Sequence, residues 1–430
     1  MGANNIDLED KETDNCNAVH YSYQYRLYPT TEQRKLLSQH CGAVRFVYNH
    51  FLARRQDDYL NSKKTSNYYA DQAALAELKK SGQYDWMYEV NSQSLQFALR
   101  NLSIAYLKFF RGEAKFPRFH SKKDGRDCFR ILQNVKLVED KLLIPKFKEG
   151  IRVKVDRPCL GKICFANIRK TKTNKYFVSI TCEVSKADLM KIKKIDVLPH
   201  DGKAVGIDLG IKDFAITSDG LRFKNLKLAK QCRRYLNYLH RQLSKKAKDS
   251  KRRERARLRL ARKYEKISNA RKNHIHNITT RLVRENQTLA IENLAVVNMM
   301  KNHKLAGAIA DCSWGEFVRQ LQYKCKWYGR SLVVIDRFFP SSKMCHECGY
   351  INYGLTLKDR HWDCPRCGEH LDRDVNAARN ILRRGQIILS GSGTESDVKQ
   401  KPEEAFSVRF DHRSKPLQRE VNDSGNTCRL

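Results

Sequence analysis

"AVGIDLGIKDFAITSDGLRF", residues 204–223, runs from an apolar segment through an aspartate and a tight glycine turn into a second apolar segment. It reads as a buried strand and its return, the opening hairpin of a sheet. Asp208 falls at the end of the first strand. A carboxylate is costly to bury unless paired or metal-bound, so it belongs at a strand tip facing a cleft. Downstream, "TLAIENLAV" (288–296) repeats the pattern, with Glu292 closing a short apolar strand. "SWGEFVRQLQYKCKWYGR" (313–330) then reads as a helix, "SLVVID" (331–336) as a strand, and "DRDVNAARNILRRG" (372–385) as a helix closing at Gly385. Asp374 opens that last helix.

Singly, each carboxylate is equally readable as an ion-pair partner or a cap, and Asp374 could be the N-cap of its helix. Together, three carboxylates from two strands and a helix suit two hard cations about 4 Å apart, Mg²⁺ or Mn²⁺, the arrangement that hydrolyses phosphodiesters. The element order, a hairpin bearing Asp, helices, a strand ending in Glu and a late helix bearing Asp, is that of a ribonuclease H-like, RuvC-type α/β nuclease.

Cys345 and Cys348, fifteen further residues, then Cys364 and Cys367 give two CxxC knuckles. Paired knuckles close a ribbon around one tetrahedral zinc, and four thiolates leave no open position, so this zinc is structural. A redox motif would be single. His346, His361 and His370 lie nearby and are read as spare. The ribbon interrupts the nuclease text, which resumes with Asp374; Asp372 is expected on the approach, paired with a basic group.

Composition sets the partner. In 430 residues, 83 Lys and Arg against 47 acidic residues give a formal charge of +36, which calls for a polyanion. Residues 222–284 concentrate this, with 23 basic and three acidic residues. Tyr235, Leu239 and Leu243, then Leu260, Tyr264 and Ile267, recur there at helical spacing, so two basic helices are expected to pair and meet nucleic-acid backbone, with Arg252 and Arg253 among the contacts. No run reaches the roughly 18 apolar residues of a membrane span, and the polar, acidic start is unlike a leader peptide, so a prokaryotic cytosolic or nucleoid location and no membrane partner are expected. Most of the fourteen cysteines stand singly and read as reduced and buried.

The N-terminal half reads as a small antiparallel β domain interrupted by helices. "YSYQYRLYP" (21–29) alternates like a strand, Thr30 and Gln33 form a capping box, and Leu95, Leu99, Leu102, Tyr106 and Phe109 line one helical face. Tyr48, Asn49, Arg54, Arg55, Tyr59, Lys63, Lys64, Tyr68, Tyr69 and Gln72 mix basic and aromatic side chains, as a surface meeting phosphates and bases would. An ordinary solvated helical bundle fits any single one of them equally well.

"GIDLGIKDFA", "IENLAV", "CHECG", "CPRCG" and "DRDVNAARNI", in that order, resemble the transposon-associated TnpB family of RNA-guided RuvC-like nucleases, ancestor-like relatives of type V CRISPR effectors. "RLYPTTEQ", "VRFVYNHFLARR", "FPRF", "SWGEFVRQLQYK" and "FFPSSKMC" extend the resemblance over roughly residues 20–385. It implies that Asp208, Glu292 and Asp374 are catalytic and hold Mg²⁺ or Mn²⁺, and that Cys345, Cys348, Cys364 and Cys367 hold Zn²⁺. It further implies a guide RNA, double-stranded target DNA read beside a short adjacent motif, and cleavage of both strands, with one chain expected per RNA. The fold expected is multidomain α+β: a RuvC-like nuclease domain (201–344 and 369–386) with an inserted zinc ribbon (345–368), and an N-terminal β-barrel wedge domain (19–40 and 116–200) with an inserted helical recognition domain (41–115). Residues 1–18 and 387–430 are expected to be disordered. A nuclease-inactive RNA-guided regulator, a transposase accessory protein and a plain zinc-ribbon DNA binder are alternatives; the first would lack one of the three acidic residues, and the last leaves them unexplained.

Overall fold

A computed structural model describes residues 18–63, 66–125, 127–195, 202–356 and 358–391. Lys64, nearly all of the expected extension 1–18 and most of the expected tail 387–430 lie outside these residues. The N-terminal half is built from β1 (Ala18–Leu27), α1 (Thr31–Ser62), α2 (Tyr68–Lys80), α3 (Ser92–Phe110), β2 (Cys128–Ile131), β3 (Lys136–Val138), β4 (Lys141–Ile144), β5 (Phe147–Lys154), β6 (Lys162–Lys170), β7 (Tyr176–Ser185) and α4 (Lys186–Lys193). Tyr21, Tyr23, Tyr25 and Leu27 point inward at period two, as the alternating text requires. β1 pairs with β7 along its whole length, from Ala18 opposite Ser185 to Leu27 opposite Tyr176. The sheet order is β2-β6-β7-β1-β5-β4-β3, so the N-terminal strand is central and the helices are an insertion. Among the described residues the edge strands β2 and β3 are not paired with each other, so the pairing is that of an open sheet rather than the expected barrel.

Thr30 and Gln33 make the expected capping box, and α1 then runs unbroken across residues 40 and 41. Val47, Phe51 and Leu52 of α1 meet Leu95, Leu99 and Leu102 of α3 in a separate apolar core. Tyr106 is buried with them, whereas Phe109 is only partly covered.

The second half holds β8 (Ala204–Leu209), β9 (Asp213–Thr217), β10 (Arg222–Lys224), α5 (Leu228–Ser244), α6 (Lys251–Glu285), β11 (Thr288–Glu292), α7 (Val296–Met299), α8 (His303–Cys312), α9 (Trp314–Tyr328), β12 (Ser331–Ile335), β13 (His361–Asp363), β14 (His370–Asp372) and α10 (Arg373–Leu389). Its sheet order is β10-β9-β8-β11-β12, with β8 antiparallel to β9, and β11 parallel to both β8 and β12. α5 and α6 form the expected basic pair, but its seam is Leu236, Leu239, Leu260 and Ile267. Tyr235 and Tyr264 are about half exposed instead, and the Tyr264 hydroxyl reaches His240 Nε2 at 2.9 Å. A tyrosine at a seam must bring its hydroxyl along; leucine carries no such cost.

Gly385 does not end its helix: α10 continues to Leu389 with Gly385 buried inside it. A Cβ at Gly385 would stand 2.6 Å from that of Ala290, and one at Gly206 would stand 2.0 Å from the Ala378 carbonyl oxygen. These two glycines let α10 lie directly on β8 and β11. Gly206→Val is therefore expected to push the helix off the sheet and cost about 3 kcal/mol of stability by thermal or urea unfolding. Gly307→Ala, on an open face of α8, is expected to leave the unfolding midpoint level or slightly raised.

Candidate active site

Ile207 and Ile291 are register partners on the parallel strands β8 and β11, so Asp208 and Glu292 follow them at the same end of neighbouring strands. Side chains alternate along a strand, which puts Gly206 and Asp208 on one face of the sheet, with Ala290 and Glu292 beside them. That face carries α10. Asp374 lies one turn before Ala378, the residue seated on Gly206, and four and seven residues further on come Leu382 and Gly385. Small residues at 206, 290, 378 and 385 thus bring the first turn of α10 over the two strand tips.

The convergence is visible in the electrostatics. Asp208 is partly exposed at the strand end, and burial of its carboxyl together with the charges of Glu292 and Asp374 pushes it up from 3.8 to about 7, against the pull of Arg373 and the Leu209 amide. Burial also raises Glu292, opposed by a hydrogen bond from the Ser341 hydroxyl. Asp374 faces Arg360, whose Nη1 lies 3.4 and 3.3 Å from its two oxygens. Burial and two neighbouring carboxylates disfavour the charge on Asp208, while Arg360 and Arg373 pair with Asp374 at 3.3 and 3.7 Å. Carboxylate oxygens are the donor type that suits hard divalent cations.

A pH effect follows from Asp208. The unfolded carboxyl ionises near pH 4 and the folded one near 7, so folding without cations is opposed progressively as pH rises through that interval, and the penalty is complete above it. Asp208→Asn should therefore stabilise the metal-free protein at pH 8 by at most about 4 kcal/mol and leave it little changed at pH 4, measured by unfolding in a chelator.

Asp372 has a different task. It is the N-cap of α10, accepting the amides of Asp374 at 3.1 Å and Val375 at 3.0 Å, and it pairs with Arg222 at 2.7 Å. Burial pushes its carboxyl up, but the amides and Arg222 hold it below the usual range. The cap is thus Asp372, which leaves Asp374 free to face the strands.

The ribbon sits beside this cluster. The Sγ atoms of Cys345, Cys348, Cys364 and Cys367 all lie within 4.8 Å of one another, with Cys345 to Cys367 at 3.7 Å and Cys348 to Cys364 at 3.5 Å. Thiolates about 2.3 Å from a tetrahedral zinc stand about 3.8 Å apart, so the set fits that ion. Gly349 and Gly368, each at φ +75°, donate to the Cys345 and Cys364 carbonyls and close two matching knuckles. Among the described residues no histidine joins the cluster. Asn376 and Asn380, buried on α10, donate to the Met344 carbonyl, and the Asn376 Oδ1 accepts from His346 N. Arg373 reaches the Thr356 and Asp359 carbonyls.

Sequence reading missed Arg360 and Ser341. Both come from loops without periodicity and reach the carboxylates only through the fold. Asn376 and Asn380 did leave a signal, two amides four residues apart in an otherwise apolar helical face.

Of the expected nucleic-acid contacts, three are engaged within the protein. Arg55 is 4% exposed and bonded to Asp71 at 2.8 Å and Ser103 at 2.9 Å. Tyr48 is buried and stacks on His120 at 3.9 Å. Arg253 donates to the Leu243 and Lys246 carbonyls at the end of α5, clasping the helix pair. Asn49 also clips the backbone of His120, donating to its carbonyl and accepting from its amide. Arg54, Tyr59, Lys63, Tyr69 and Arg252 are exposed, with Lys63 over the Tyr59 ring; Gln72 is half-buried and donates to the Tyr68 hydroxyl.

Comparison with known proteins adds three family patterns: "Helix-turn-helix domain" over residues 19–64, "Probable transposase" over 179–303, and "Cas12f1-like, TNB domain" over 314–381. Over 19–64 the described residues form β1 and the single helix α1. A protein of Streptomyces pristinaespiralis described as "Putative RNA-guided DNA endonuclease" is 39% identical over 90% of this chain and 97% of its own. InsQ of Escherichia coli K12, given the same description, is 30% identical over 90% of this chain and 98% of its own. The solved complex of Cas12f1 with sgRNA and target DNA has the same α+β multidomain fold, with a TM-score of 0.52 at 12% identity over 85% of this chain and 99% of that one. The fold and site describe a multidomain α+β protein with a carboxylate cluster beside a four-cysteine ribbon. The chain belongs to the TnpB/IS605 OrfB family. Among the described residues no helix is long and apolar enough to cross a membrane.

Proposed function

We propose that this chain is an RNA-guided DNA endonuclease, with the β8–β12 sheet and α10 forming a ribonuclease H-like, RuvC-type core. The observation that carries this reading is the meeting of Asp208, Glu292 and Asp374 on one face of that sheet. Those three side chains would hold two Mg²⁺ or Mn²⁺ ions, which when bound activate water and stabilise the leaving oxygen. Ser341 orients Glu292 through its hydroxyl. Arg360, 44% exposed on a long side chain, is placed to turn from Asp374 to a non-bridging phosphate oxygen as negative charge builds there. Cys345, Cys348, Cys364 and Cys367 would hold a structural Zn²⁺ that fixes the loop bearing Arg360.

The outward basic faces of α5 and α6, Arg252 among them, suit a guide RNA or its heteroduplex with DNA. Arg54, Tyr59, Lys63 and Gln72 are further contacts on the helical domain, and the N-terminal sheet serves as a wedge against the duplex. In this reading one chain carries one RNA and acts on duplex DNA in the prokaryotic cytosol or nucleoid. The test is to purify the protein with its co-expressed RNA, sequence that RNA, and incubate the complex with matched duplex and Mg²⁺. Guide-dependent cutting is expected; a complex that never cuts a matched duplex sinks the reading.

A further inference from the structure

We infer that Phe338 is a positioning residue that stacks on a base of the DNA strand entering the carboxylate cluster, an assignment that rests on the nuclease reading above. β12 ends at Ile335, the register partner of Glu292, so the chain that follows leaves the sheet at the same edge as the three carboxylates. Residues 336–341 form a braced loop. Asp336 is held by Arg384 at 2.9 Å, Phe339 packs beside Ala290, Ile335 and Ile381, and Ser341 engages Glu292 through its hydroxyl and Asn380 through its carbonyl. With its neighbours anchored inward, Phe338 is left 90% exposed, more than any other large apolar side chain among the described residues.

A braced loop that holds a phenyl ring in water gains nothing for folding from that ring. Its surroundings name the partner: the phosphodiester-cleaving cluster lies along the same edge, Arg337 is exposed beside it, and Arg360 stands at Asp374. A nucleotide offers the matching pair of features, a flat apolar face for the ring and a phosphate for the cations. Stacking tolerates any base, which suits an enzyme whose sequence choice resides in a guide. One stacked base next to the scissile phosphate would fix the strand's register against the cluster.

The test uses RNA-loaded full-length protein and single-turnover cutting of matched duplex. Phe338→Ala is expected to slow cutting about tenfold, Phe338→Trp to keep it near wild type, and Phe338→Leu, which retains apolar bulk without a ring, to fall with the alanine variant. Single abasic sites walked through the cut region should find one position that slows the wild type by a similar factor and slows Phe338→Ala no further, a dependence that a merely structural residue would not create. Wild-type rates in the alanine and leucine variants, or losses from the abasic site and Phe338→Ala that multiply, overturn the inference while leaving the nuclease reading intact. A wild-type complex that fails to cut overturns both.

Discussion

Asp208→Ala is expected to abolish guide-dependent DNA cutting, by a factor on the order of 10³ or more, while RNA and target DNA binding stay within about twofold of wild type. The size of the effect follows from position. Asp208 feels both other carboxylates of the cluster, so it lies where a shared pair of cations would need its oxygens. Neither Asp372, committed to the α10 cap and Arg222, nor Ser341, bonded to Glu292, can take its place. The variant should not unfold: removing a carboxyl that burial already penalises leaves the metal-free melting midpoint level or raised. Loss of cutting with a preserved midpoint and preserved binding therefore isolates chemistry from folding. Wild-type cutting by Asp208→Ala would refute the placement of the active site.

Asp208 and Glu292 were legible in the sequence because each follows a short apolar run, where a charge has no bland reason to stand. Asp374 and the pairing of Asp372 with a basic group were legible from the same order of elements, but the capping role of Asp372 was not, because which of two aspartates caps a helix depends on where the chain enters it. The four-cysteine cluster was fully legible, since the spacing that brings such thiols together is local. Surface contacts were not. Arg55 and Arg54 are adjacent and chemically alike, yet one is sealed against Asp71 of another helix and the other faces solvent. Composition records that basic residues exist; only packing decides which are already used. Gly385 shows the same limit: a glycine near the end of a helical pattern reads as a stop, while the fold uses it for a close approach to Ala290.

Replacing Cys345 and Cys364 together with serine is expected to remove bound zinc and to slow cutting about 100-fold, with RNA binding changed by no more than a few-fold. The ribbon's own apolar contribution is small, chiefly Trp362 and Leu371 around the cysteines, and a core that size cannot order its loops without a metal. Two things depend on that order. Arg360 stands immediately before β13, and its carbonyl accepts from the Arg373 amide at 2.8 Å, so the arginine facing Asp374 is placed by the ribbon's backbone. The ribbon also braces the start of α10 through Arg373 to the carbonyls of Thr356 and Asp359. The sheet beneath is held by an independent core, so its cooperative unfolding should survive the loss of zinc. Arg360→Ala separates the two contributions: it should retain zinc by atomic absorption and reproduce about tenfold of the loss, leaving the remainder to the misplaced first turn of α10. A zinc-free double variant that cuts at the wild-type rate would show that the ribbon supplies neither.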